Sequence, residues 1–134
     1  MPTDAVETLF ALAAAHARAV RVLEVRGLSF AELRLLVPLR AAHGGRRPTD
    51  LAHELHLTPS GVTRALLPLE RRGIVERRRD AGDARASLVV LTPAGRTLVD
   101  EALGDAGERA TRLLRRLSVG QAKQLQRLLD EVGR

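Results

Sequence analysis

Apolar residues recur at intervals of three and four through the first half of the chain, a spacing that places them on one face of a helix. After Gly73 the interval shortens to two, as in half-buried strands, and from Ala94 it returns to three and four. The pattern predicts four helices, two short strands and two further helices, over about 4–25, 30–42, 51–56, 59–73, 74–79, 86–91, 94–117 and 119–132. The expected fold is therefore mainly α with one small β-hairpin.

Capping sequences mark the predicted helix starts. Ser29 with Glu32, and Ser118 with Gln121, have the spacing of a capping box, in which two side chains satisfy free backbone amides reciprocally. Thr58-Pro59 and Thr92-Pro93 each place a hydroxyl cap before a proline at the first helical position. For the short third helix we expect Thr49 or Asp50 as the cap.

Two prolines fall inside predicted helices. Pro38 lies in the second helix and Pro68 in the fourth, and each removes one backbone amide and crowds a carbonyl in the preceding turn. We expect them to bend these helices without preventing the fold.

Composition narrows the function. The 134 residues contain no cysteine, which excludes disulfides, thiolate zinc sites and thiol-based redox sensing. The net charge is +6, and such a basic domain attracts nucleic acid or an anionic membrane surface. There is no apolar run long enough to span a membrane and no secretory signal, so we expect a cytoplasmic protein without a membrane partner.

Residues 49–69 fit a helix-turn-helix, which needs two short helices held at a steep angle by a small core. That core is predicted to contain Leu51, Leu55, Leu57, Val62 and Leu66. Ala52 is small enough for close helix approach, whereas His56 occupies the turn, where glycine is usual.

The polar face of the second helix of this motif carries Ser60, Thr63 and Arg64 in its first two turns. The corresponding part of a helix-turn-helix enters the DNA major groove, where arginine pairs with guanine edges. These residues are candidates for DNA contact, and the alternative is an ordinary solvated face.

The hairpin adds a second basic element. Arg77, Arg78 and Arg79 lead into its turn and Arg85 leaves it, and such a wing can place arginine in the adjacent minor groove. We expect the Asp83 carboxylate to hold the Arg85 guanidinium in one orientation. The alternative is a charged, solvated hairpin tip.

Three segments carry a family resemblance: 62–77 (VTRALLPLERRGIVER), Asp83-Ala84-Arg85 and 91–95 (LTPAG). Together they resemble the MarR (multiple antibiotic resistance regulator) family. The resemblance implies one domain over 1–134, with a winged helix-turn-helix over about 28–93 and N- and C-terminal dimerisation helices over about 4–26 and 94–132. It further implies that Ser60, Thr63 and Arg64 face the major groove, that Arg85 enters the minor groove and that Asp83 supports it.

The expected function is a DNA-binding transcriptional regulator, a ligand-responsive repressor that binds a pseudo-palindromic operator on double-stranded DNA as a homodimer. The apolar stripe on the last helix favours this dimer, and packing within one chain is the alternative; the stripe comprises Leu125, Leu128, Leu129 and Val132. The alternative function is a dimeric helical interaction module that keeps the winged-helix fold without sequence-specific DNA binding.

Other chemistry has little support in the sequence. A glycine-rich phosphate loop, a nucleophile triad and a paired-carboxylate pocket are all missing, so we expect no enzyme and no cofactor. His53 and His56, with His43 or Glu54, have weak metal-ligand spacing, and no metal site is expected. A small anionic or aromatic effector stays open, since its candidate region is also explained as core; that region comprises His16, Val20, Leu23, Phe30, Leu33 and Leu36.

Overall fold

The computed structural model describes residues 2–134, with side chains over 3–134. Six helices and two strands follow the predicted order in this part of the chain, which confirms the mainly α class with one hairpin. Their bounds are α1 Pro2–Val22, α2 Phe30–Ala41, α3 Pro48–Glu54, α4 Pro59–Arg71, β1 Val75–Arg79, β2 Ser87–Leu91, α5 Pro93–Leu113 and α6 Val119–Val132. Helix α5 ends four residues before its predicted end, because a turn precedes the cap of α6.

The helix caps follow the local sequence, with one exception. The Ser29 and Ser118 capping boxes are both formed, and Thr58 and Thr92 cap α4 and α5 as predicted. The prediction of Thr49 or Asp50 as the cap of α3 is wrong. This helix begins at Pro48, whose fixed φ suits the first helical position, and the preceding residue, Arg47, makes no capping bond with its side chain.

Helices α2 and α4 both run without interruption through their internal prolines, Pro38 and Pro68. The degree of bending stays a prediction. The buried faces of the two helices determine how they sit on the core, with Leu35, Leu36 and Leu39 inward on α2. On α4 the inward residues are Val62, Leu66 and Leu69.

The helix-turn-helix core is formed by Leu51, Ala52, Val62 and Leu66, with Leu55 packed against it. Leu57 is the exception, because its side chain is 44% exposed. It directly follows His56, which adopts a left-handed conformation with φ 54° and lies in the turn itself. The interhelical turn thus has the backbone that glycine prefers, as the sequence indicated.

The hairpin is joined to the rest of the fold along the outer edge of β2. Strands β1 and β2 pair antiparallel, from Val75 opposite Leu91 to Arg79 opposite Ser87. The backbone of Arg46, in the α2–α3 connector, exchanges two hydrogen bonds with Val89, of 2.9 and 2.8 Å. The connector therefore extends the small sheet on the free side of β2.

The start of α5 is locked against the start of β1. The Thr92 hydroxyl donates to the Gly73 carbonyl at 2.6 Å and accepts from the Gly95 amide at 2.9 Å, and the Thr92 amide donates to the Ile74 carbonyl at 3.0 Å. A Cβ at position 95 would lie 1.9 Å from the Ile74 carbonyl oxygen. Only glycine fits this buried position, which explains the threonine and glycine of the 91–95 segment.

Helices α1 and α6 leave apolar residues uncovered. Neither has a fully buried residue among the described side chains, and Phe10 of α1 is 71% exposed. The predicted stripe on α6 is exposed too, at 39% for Leu125 and 67% for Val132. The alternative interpretation, in which this stripe packs within one chain, is therefore wrong.

Over residues 2–134, every helix is too short or too polar to span a lipid bilayer.

Replacing Gly95 tests the α5 lock. Gly95→Ala forces a backbone displacement, and we expect the free energy of unfolding to fall by about 2 kcal/mol or more, as in overpacked cores. Gly104→Ala is the matched control on the same helix, because open space surrounds its Cβ. This control should gain about 0.5–1 kcal/mol from helix propensity. Chemical denaturation measures both, and equal stability of the two variants would contradict the lock.

Candidate nucleic-acid interface

The exposed face of α4 carries the three polar residues predicted for DNA contact. The Thr58 hydroxyl accepts a hydrogen bond of 3.1 Å from the Gly61 amide and so fixes the first turn. Burial of Val62, Leu66 and Leu69 sets the rotation of the helix. Ser60, Thr63 and Arg64 consequently lie together on the solvent side, three and four residues apart.

The arginines of the hairpin differ in their partners. Arg77 contacts Glu70 of α4 at 3.4 Å, and Arg78 contacts Glu76 of its own strand at 2.7 Å. Over residues 2–134 the structure has no ion pair for Arg79 or Arg85. Two of the four predicted hairpin arginines therefore have their charge uncompensated by a neighbouring carboxylate.

The hairpin arginines surround one shallow cavity of about 260 Å³. Its lining contains Arg77, Arg78, Arg79 and Arg85 together with small residues of the turn. A guanidinium group is planar and can donate two parallel hydrogen bonds to two oxygens of one phosphate. The hairpin thus has the charge and shape expected of a surface that meets a nucleic-acid backbone.

Asp83 acts on a different atom from the one predicted. Its carboxylate accepts a hydrogen bond of 2.9 Å from the backbone amide of Arg85, and the expected pairing with the Arg85 guanidinium is absent from the described contacts. This is the local turn that aspartate forms with the amide two residues ahead. Asp83 therefore sets the backbone path at Arg85. It does not restrain the Arg85 side chain.

One ion pair at the site, Arg47 with Asp80, was not predicted from the sequence. The Nε and Nη2 atoms of Arg47 donate to one Asp80 oxygen at 3.1 and 2.6 Å, and the other oxygen accepts from the Gly82 amide at 2.9 Å. The Gly82 amide, and then the Arg47 guanidinium, hold the pKa of the Asp80 carboxyl below its ordinary value. The partners are 33 residues apart, so only the position of Asp80 at the end of a strand was visible in the sequence.

The histidines of the helix-turn-helix do not form a metal centre in the described part of the chain. Residues 2–134 contain no group of three or more histidine, aspartate or glutamate side chains placed to hold a metal ion. His53, His56, His43 and Glu54 therefore do not come together as a donor set.

The region considered for an effector is divided by the structure. Leu36 is fully buried and belongs to the core. The rings of His16 and Phe30 meet edge to face, with centroids 5.7 Å apart, and the Arg34 guanidinium lies 5.9 Å from the Phe30 centroid. Beside them is an apolar groove of about 340 Å³, lined by Leu23, Phe30, Leu33, Arg34, Val37, Pro38 and Leu55.

Comparison with known proteins finds that the chain is similar to regulators of transcription. Residues 28–87 match the sequence profile of the MarR family. Over 81 residues, 60% of this chain, it is 30% identical to the HTH-type transcriptional regulator YwhA of Bacillus subtilis. Over 89 residues, 66% of the chain, it is 29% identical to the HTH-type transcriptional repressor Rv2887 of Mycobacterium tuberculosis. The alignments cover 58% and 64% of these relatives, so the chain spans less than two thirds of either.

A solved structure agrees over nearly the whole chain. The transcriptional repressor CouR, bound to a 23-mer DNA duplex, superposes with a TM-score of 0.86 at 28% identity. The match covers 93% of this chain and 91% of CouR. The agreement includes the terminal helices, which lie outside the 28–87 match.

Proposed function

The chain belongs to the MarR family, and from this premise we propose that it is a ligand-responsive transcriptional repressor that binds a pseudo-palindromic operator as a homodimer. The observation that carries the proposal is the combination of two exposed elements. One is the face of α4 with Ser60, Thr63 and Arg64, and the other is the hairpin with unpaired Arg79 and Arg85. A cytoplasmic location follows from this function, since the protein must reach the chromosome.

In the proposed complex the first two turns of α4 enter the major groove. Arg64 contacts base edges there, while Ser60 and Thr63 contact phosphates or bases. Arg85 extends from the hairpin towards the adjacent minor groove, where negative potential is concentrated. Arg79 contacts phosphate, and Arg77 and Arg78 add to the positive field while paired with Glu70 and Glu76.

The homodimer is formed by the terminal helices in this proposal. The exposed apolar residues of α1 and α6 need a cover, and a second copy of the same chain provides it through a two-fold axis. That arrangement separates the α4 helices of the two copies, which are the recognition helices, by about 34 Å. This is the distance between successive major grooves on one face of DNA.

The ligand of the proposed repressor is a small anionic or aromatic effector. The apolar groove of about 340 Å³ offers the Phe30 ring for stacking and the Arg34 guanidinium for an anionic group. Because the groove lies between the end of α1 and the helices of the winged unit, its occupation would alter how the two parts pack.

The alternative function is a dimeric interaction module without sequence-specific DNA binding. This alternative accounts for the fold and the dimer. It does not account for the uncompensated arginines beside the α4 face. Binding isotherms on random and selected duplexes at several salt concentrations distinguish the two functions, because only a DNA-binding regulator prefers selected sites.

Disrupting the α6 stripe tests the dimer. Leu125→Asp with Leu129→Asp should give monomers in sedimentation, because four charges would be buried across the two-fold axis. Arg127→Asp on the opposite side of α6 is the control, since it changes the chain's charge by the same amount. The double variant remaining a stable dimer would remove this surface from the interface.

Single arginine replacements test the assignment of grooves. Arg64→Ala should cost roughly 1–3 kcal/mol on the cognate duplex and relax preference at one base pair. Arg85→Ala should weaken cognate and scrambled duplexes by similar factors and lower the salt dependence by about one phosphate equivalent. Asp83→Ala should resemble Arg85→Ala more weakly, because it releases the backbone that presents Arg85.

Arg77→Ala serves as the control for these variants, since Arg77 is paired with Glu70 and should have a smaller effect on the salt dependence. Fluorescence anisotropy with both duplexes at several salt concentrations provides the measurement. The groove assignment is wrong if Arg85→Ala changes base preference while Arg64→Ala weakens all sequences equally. The DNA-binding function itself fails if neither variant matters.

A further inference from the structure

Arg47 occupies the capping position of α3 without capping it. Its side chain reaches instead to the hairpin turn, where two of its nitrogens contact one Asp80 oxygen. The Asp80 side chain is only 17% exposed, less than any other paired carboxylate over residues 2–134. The two residues, which we name the wing clamp, form the most protected ion pair near the proposed DNA surface.

On the hairpin side, the wing clamp organises the turn that carries Arg85. The second oxygen of Asp80 accepts from the Gly82 amide, and the Asp80 amide donates to the Ala86 carbonyl at 3.1 Å. Asp83 continues this arrangement, because its carboxylate holds the Arg85 amide. The turn from 80 to 86 is thus anchored at its first residue.

On the helical side, the wing clamp is connected through α3 to α4, the recognition helix of the proposed DNA complex. Arg47 directly precedes α3, and α3 packs against α4. The neighbouring Arg46 is held to β2 through its two backbone hydrogen bonds with Val89. A continuous set of contacts therefore joins the hairpin tip to the helix that carries Arg64.

We propose that Arg47 and Asp80 are positioning residues that set the place of Arg85 relative to the recognition helix. This inference rests on the proposed function. It gives Arg47 a role opposite to that of a basic residue beside DNA: the guanidinium holds the protein's own carboxylate and makes no phosphate contact. The two roles predict changes of opposite sign in DNA affinity when Asp80 loses its charge.

Asp80→Asn is the primary experiment. Asparagine keeps an acceptor for the Gly82 amide but removes the charge that holds Arg47. The wing clamp predicts that affinity for a duplex selected with the wild-type protein falls roughly fivefold to tenfold, the scale of coupling between contacting residues. If Arg47 is a phosphate ligand that Asp80 restrains, or if charge alone matters, the affinity rises, and that result overturns the proposal.

Arg47→Ala and its matched control give the second measurement. Arg46→Ala removes the same charge one residue earlier and loses the pair with Glu54, at 2.5 Å, while the hairpin turn is untouched. We expect Arg47→Ala to weaken binding as much as Asp80→Asn does, and Arg46→Ala to weaken it less than about twofold. Equal losses for the two alanine variants would overturn the proposal.

Coupling to Arg85 separates positioning from stability. In an Arg85→Ala background, Asp80→Asn should have almost no further effect on DNA affinity, whereas independent contributions would multiply. Arg47→Lys keeps the charge without the planar fork and should retain part of the affinity. If thermal unfolding shows that Asp80→Asn is not folded, Arg47→Lys replaces it in the coupling measurement. Losses of affinity that multiply between Arg47→Lys and Arg85→Ala also overturn the proposal.

The same experiments distinguish this inference from the proposed function. Wild-type protein that selects no duplex from random DNA overturns both. Wild-type protein that binds a selected duplex and is weakened by Arg85→Ala, but is unaffected by Asp80→Asn, overturns the wing clamp alone.

Discussion

The contact between Gly95 and the Ile74 carbonyl is the constraint on which the rest of the structure depends. At this point the backbone of α5 touches the backbone that begins β1, with the Thr92 hydroxyl bridging the two. The hairpin and the first turn of α5 therefore move as one body. Since α5 has 21 residues and extends about 30 Å, it carries this fixed geometry from the hairpin to the terminal helices.

Ion pairing determines which arginines remain available. On the helical side, Arg26 contacts Glu101 and Asp105 of α5, and Arg40 pairs with Asp100 of the same helix. The Arg26 guanidinium holds the pKa of the Asp105 carboxyl below its ordinary value. These acidic residues neutralise arginines that join α5 to the first two helices. Arg64, Arg79 and Arg85 have no such ion pair over residues 2–134, so their positive charge stays on the face proposed to meet DNA.

Carboxylates near the hairpin have a different task. Asp80 and Asp83 lie beside the most basic part of the chain, where acidic residues weaken attraction to phosphate. Both accept hydrogen bonds from backbone amides of the turn and so define the path of the chain there. Their structural role in the turn offsets the attraction to phosphate that their charge costs. Charge on the hairpin is thus divided between groups that face outward and groups that fix the geometry.

The sequence by itself determined most features that depend on near neighbours: the element order, four helix caps, the faces of α4 and the conformational demand at His56. These follow from periodicity and from hydrogen bonds over two to four residues. The cap of α3 and the atom that Asp83 holds are the local exceptions. Tertiary structure decided that Leu57 is exposed and that Arg47 contacts Asp80 across 33 positions. An arginine is long and has several donors, so its partner among sixteen acidic residues is set by which segments the core brings together.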